Sequence, residues 1–130
     1  MKRIVLAAIL AAGMAQADEG AIRGVIDDQI DAFRADDFAQ AFTYAAPNIQ
    51  SLFRTPERFG TMVRQGYPMV WRPGSVEYLG TERIGGRWVQ EVLVTDGSGR
   101  LHLLEYSMVE TGDGWKIAGV RLLEAPEIGA

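Results

Sequence analysis

Cysteine is absent from the 130 residues and histidine occurs once. The first absence excludes disulfides, thiol nucleophiles and a cysteine-linked lipid anchor. The second excludes multi-histidine metal sites and leaves His102 as the sole imidazole for a Ser-His-Asp arrangement. Positive charge is scarce, with 13 Lys and Arg against 17 Asp and Glu for a net charge of -4. A basic surface of the size nucleic acid needs is therefore not available. Long apolar runs are also lacking, and the one at the N-terminus is too short to span a bilayer. No acidic loop has calcium-type spacing and no glycine-rich phosphate loop follows a strand, so no metal and no cofactor is expected. What is present is a chain 48% hydrophobic with a mean hydropathy of -0.01, too apolar for disorder and of a length for one domain.

The N-terminus reads as a secretory signal. Lys2 and Arg3 form a basic start, Ile4 to Met14 a short apolar stretch, and Ala15-Gln16-Ala17 a small-x-small cleavage site. Residues 1–17 are thus expected to be removed, leaving residues 18–130 as one acidic domain in the bacterial periplasm.

Beyond Asp18 the hydrophobic period is helical. Ile22, Val25, Ile26, Ile30 and Phe33 form one stripe, with Asp27, Asp28, Asp31 and Arg34 on the other side. Asp37, with Gln40 three residues on, reads as the cap of a second helix running to Pro47. A loop or short turn is expected around Ile49, Leu52 and Phe53. Thr55-Pro56 then starts a third helix that stops at Gly66. From Pro73 the chain changes to runs rich in Val, Leu, Tyr and Trp, punctuated by glycine turns. Four antiparallel strands are expected, near 76–83, 87–95, 100–109 and 115–124. Three helices followed by a curled meander predict an α+β domain with the helices on one face of the sheet.

This order, with Gln29-x-x-x-Phe33 and Asp37-x-x-x-Ala41-Phe42, resembles the cone-shaped, cystatin-like fold of the nuclear transport factor 2-like superfamily. More narrowly, Phe59-x-x-Met62-Val63-Arg64, Gly66-Tyr67-Pro68-x-Val70-Trp71-Arg72-Pro73 and Asp113-Gly114-Trp115-Lys116-Ile117-Ala118-Gly119 resemble a domain-of-unknown-function family of secreted bacterial proteins within it. The resemblance implies a fold, a tendency to dimerise and a pocket, and it transfers no catalytic residue.

Candidate site residues follow from polar groups in apolar places. Gln29 interrupts the stripe of the first helix and is expected to face the sheet, bonded either to protein or to a ligand. Tyr67 and Trp71, in a proline-stiffened segment expected to be extended, either line the mouth of the cone or plug it. Arg54, Arg64 and Arg72 can meet an acidic group there, or Arg72 serves as a surface brace. If the Asp96–Gly99 loop keeps paired residue numbers summing to 195, Gln90 faces Glu105 among apolar neighbours, as a ligand-orienting pair, a satisfied structural pair or an edge facing water. In the same register His102 shares a face with Glu91 and Tyr106, an arrangement suited to proton transfer, whereas a one-residue bulge separates Glu91 from His102; the other reading of His102 is a structural or surface-facing strand histidine. With no positioned nucleophile, metal set or cofactor motif, the expected function is a non-enzymatic binding or accessory module. Its partner is a small apolar or amphipathic molecule or a protein. The alternative is a small lyase or isomerase using Glu91 or Glu105 with His102 or Tyr106. Both sheet faces are apolar, so a homodimer through the sheet is a further expectation.

Overall fold

A computed structural model describes the backbone of residues 2–124 and the side chains of residues 17–124. Among these residues α1 (Lys2–Arg34), α2 (Phe38–Thr43), α3 (Pro47–Phe53), α4 (Pro56–Gly66) and α5 (Pro68–Trp71) precede β1 (Pro73–Ile84), β2 (Arg87–Asp96), β3 (Leu101–Thr111) and β4 (Gly114–Leu123). The side chains of the expected signal segment up to Gln16 lie outside the described residues.

The amphipathic stripe of α1 buries Ile22, Ile26, Gln29, Ile30 and Phe33 against the sheet. Its end is a Schellman turn: Asp37 N–H reaches Ala32 O at 2.8 Å and Asp36 N–H reaches Phe33 O at 3.0 Å. Asp36 takes the left-handed position, φ 55°, that glycine usually fills. The expected caps form, with Asp37 accepting from Gln40 N–H and Thr55 from Arg58 N–H. Helix α2 stops earlier than expected because residues 44–46 run beside β4. Ala46 N–H donates to Ile117 O at 2.8 Å and Ile117 N–H to Tyr44 O at 2.9 Å, which covers that strand's outer edge.

Two segments differ from expectation. The loop around Ile49 is helix α3, and the segment expected to be extended after Tyr67 turns into helix α5. Both begin on a proline, Pro47 and Pro68, whose fixed φ suits a first helical turn and whose missing N–H costs nothing there. Phe59 of α4 joins the helices, with ring centroids 5.9 Å from Phe33, 5.2 Å from Phe42 and 5.9 Å from Phe53.

The strands form a meander in the order β1-β2-β3-β4, antiparallel throughout and not strongly curled. Its helix-covered face carries Trp88, Gln90, Val92, Val94, Leu104, Tyr106, Met108 and Ile117. The expected register of β2 and β3 is off by one. Val94 pairs with His102, Gln90 with Tyr106 and Glu91 with Glu105, so paired numbers sum to 196. The cause is the loop, which holds three residues between Asp96 and Arg100. Gly99 at φ 87° absorbs the extra one, while Asp96 accepts from Ser98 N–H, Ser98 Oγ–H and Arg100 N–H. A one-residue slip moves every side chain of one strand to the other face of its partner.

Candidate functional site

A cavity of about 340 Å³ lies between the helices and the β4 side of the sheet. Gln29 and Phe33 come from α1, Ile49, Leu52 and Phe53 from α3, Phe59, Met62 and Val63 from α4, and Val70 from α5. Ile117, Gly119 and Val120 of β4 form the floor, with Ala45 and Tyr67 at the junctions. Sequence periodicity exposed the α4 wall. It missed α3, a seven-residue helix with no buried residue and with Leu52 70% exposed beside the cavity. Two side-chain bonds tether that helix, Asn48 to Ala118 O and Gln50 to Phe42 O. It ends at Arg54, whose φ of 71° and the Thr55 N–H to Phe53 O bond make a γ-turn of the rare, strained kind.

Two of the sequence-selected residues meet here. Gln29 is 3% exposed and its amide nitrogen donates to Ala41 O at 3.2 Å, an interaction that fixes the orientation of the amide. Tyr67 donates its hydroxyl hydrogen to Val120 O at 3.2 Å. Among the described residues no Asp, Glu, Lys, Arg or His lines the cavity.

The others are placed elsewhere. Trp71 is not a lining residue of this cavity: its indole N–H donates to Asp36 Oδ1 at 2.9 Å, and the Arg72 guanidinium lies 4.2 Å from its ring centroid. Arg72 also pairs with Asp36 at 2.9 Å and caps Phe33 O, so it is the surface brace. The Trp71 indole and then the Arg72 guanidinium hold the Asp36 carboxyl below its ordinary range. Arg54 ends α3 on the surface, and Arg64 lies over the Phe38 ring at 5.1 Å.

Gln90 does not face Glu105. It is fully buried, its Oε1 accepts from Thr81 Oγ–H at 2.6 Å and Arg23 Nε–H at 3.2 Å, and its nitrogen donates to Leu79, Gly80 and Glu91 carbonyls. These bonds serve the β1 irregularity between Tyr78 and Thr81, so Gln90 has nothing left for a ligand. Glu105 is on the uncovered face, paired to Arg121 at 3.0 Å.

The alternative acid/base group does not assemble. Glu91 is on the uncovered face opposite Glu105, beside Glu82 and Val89. His102 is on the covered face at the strand's start, with Nε2 2.8 Å from Asp96 Oδ2. Tyr106 lies four residues further along the same strand, about 13 Å away at the rise of an extended chain. Its hydroxyl is buried with no partner among the described residues, and burial pushes its pKa up. Among the described residues no cluster of metal-ligating side chains occurs and no helix is long and apolar enough to cross a membrane.

Residues 15–130 match the family model described as Domain of unknown function (DUF4864), so the chain belongs to that family. No curated protein and no solved structure matches it.

Proposed function

We propose that this member of a family without an assigned activity is an exported binding or accessory module that holds one small, largely apolar molecule between its helices and its sheet. The cavity carries the reading. Its size is within the range of small-molecule sites, about 300–1,000 Å³, and its lining is apolar except for a few placed polar groups. The separation of Glu91, His102 and Tyr106 favours binding over proton-transfer chemistry. Export is supported by the basic, apolar and small-residue order of residues 2–17, and by a family match that begins at Ala15, within the cleavage motif. Helices layered on one face of a four-stranded meander support a nuclear transport factor 2-like fold, and Leu93, Leu101 and Leu103 on the other face support a homodimer.

Calorimetric titration of the purified protein with 1-methoxynaphthalene, an uncharged aromatic probe, tests the cavity. Saturable one-to-one binding is expected. It should weaken at least about tenfold in Val63→Phe, which fills the α4 wall while circular dichroism stays native. Absence of saturable binding both for this probe and for its hydroxyl counterpart 1-naphthol, or binding unchanged in that variant, overturns the reading.

A further inference from the structure

We infer that the cavity selects an uncharged molecule carrying a hydrogen-bond donor, an alcohol or a phenol, over carboxylic acids and over ketones or ethers of the same shape. The inference rests on the cavity being a ligand site and adds the chemistry of the ligand's polar end.

Gln29 carries the argument. Its nitrogen is committed to Ala41 O, so the amide carbonyl is turned the other way. Among the described residues Gln29 Oε1 accepts no hydrogen bond, although the residue is 3% exposed and lines the cavity. Among the described residues the one side-chain polar atom both fully buried and unpartnered is the Tyr106 hydroxyl, so Gln29 Oε1 keeps accessible surface at the cavity it lines, where a ligand hydroxyl can bond it and an ether cannot. The second polar group has the same polarity. Tyr67, which also lines the cavity, directs its hydrogen to Val120 O, so its oxygen is left able to accept but not to donate. Both groups therefore ask for donors.

Charge narrows the class further. With no Lys, Arg or His among the described residues of the lining, a carboxylate entering the cavity leaves water without a counter-ion and meets Gln29 Oε1 as acceptor against acceptor. An ammonium group supplies donors but finds no carboxylate, so its desolvation is uncompensated. A neutral hydroxyl on an apolar body satisfies both requirements, with the body packed among Phe33, Ile49, Phe53 and Val70.

The test is a titration of the purified protein with three matched probes, 1-naphthol, 1-methoxynaphthalene and 1-naphthoate. The naphthol is expected to bind about three- to tenfold more tightly than the ether, the worth of one net hydrogen bond. The naphthoate should bind at least about tenfold more weakly than the naphthol. In Gln29→Met the ether should keep its affinity and the naphthol should fall to match it. The wild-type series stands alone if that variant fails to fold. Equal binding of naphthol and ether, tighter binding of naphthoate, or a preference that survives Gln29→Met overturns the inference while leaving the cavity in place. Failure of every probe to bind overturns the cavity reading and this inference together.

Discussion

Asp96 closes the β2–β3 hairpin through one carboxylate. Oδ2 meets His102 and Oδ1 collects Ser98 N–H, Ser98 Oγ–H and Arg100 N–H. His102 first and Ser98 next hold this carboxyl far below its ordinary value of 3.8. The folded pKa is depressed, so the stabilisation is complete above pH 3.8 and is lost as the pH falls from there toward the folded value. Asp96→Asn should lower the urea midpoint at pH 7, and the gap from wild type should narrow as the pH is taken below 3.8. A gap independent of pH between 7 and 3 would show that the carboxylate's charge contributes nothing. Gln29 was legible in the sequence at this scale because it breaks an apolar stripe, a signal needing no knowledge of what it meets. Gln90 was equally visible as a polar residue in a core strand, but its partners, the Arg23 side chain and the Leu79 and Gly80 carbonyls, follow from an irregularity in β1 that no side-chain pattern reveals.

The helical periods, the proline and threonine at the start of α4, and the glycine turns were enough to place the main helices and all four strands. Short elements and register were not, because each depends on a single residue's backbone. Pro47, read as the end of the second helix, and Pro68, read as a stiffener of extended chain, are equally suited to begin a helical turn, and packing of Ile49, Phe53 and Val70 around the cavity decides for the turn. The β2–β3 loop is the sharper case. Asp96-Gly97-Ser98-Gly99 fits a two-residue or a three-residue connection, and only the left-handed conformation of Gly99 selects the second. That choice sends Glu91 and His102 to opposite faces and dissolves the pairing of Gln90 with Glu105. A matched pair of substitutions isolates it. Neither Gly97 nor Gly99 has an atom within 4 Å of an added Cβ, and only Gly99 has a positive φ. Gly99→Ala should cost about 1–2 kcal/mol through backbone strain alone, and Gly97→Ala well under 1 kcal/mol, by urea denaturation. Equal costs would mean that the loop does not depend on a left-handed residue.

At the scale of the molecule the two sheet faces divide the work. One is covered by helices and contributes the cavity floor. The other has no element of the described chain packed on it, although Val89 is 4% exposed there and Leu93, Leu101, Leu103 and Leu123 are only half-buried. The leucines lie side by side across β2, β3 and β4, with the Glu105–Arg121 pair next to them. An apolar row beside a charge pair of both signs is self-complementary under a two-fold axis, the symmetry of most homodimers. Leu103 occupies the middle strand of that row, between Leu93 and Leu123. Light scattering should therefore give twice the chain mass for the wild type at micromolar concentration and the single-chain mass for Leu103→Glu, with the same circular dichroism. A monomeric wild type, or a Leu103→Glu dimer, would remove the sheet as the pairing surface. Because the cavity opens beside α3, on the other side of the sheet, pairing and ligand binding should be independent. Val63→Phe should then remain a dimer while losing its probe, and Leu103→Glu should bind the probe as a monomer with unchanged affinity.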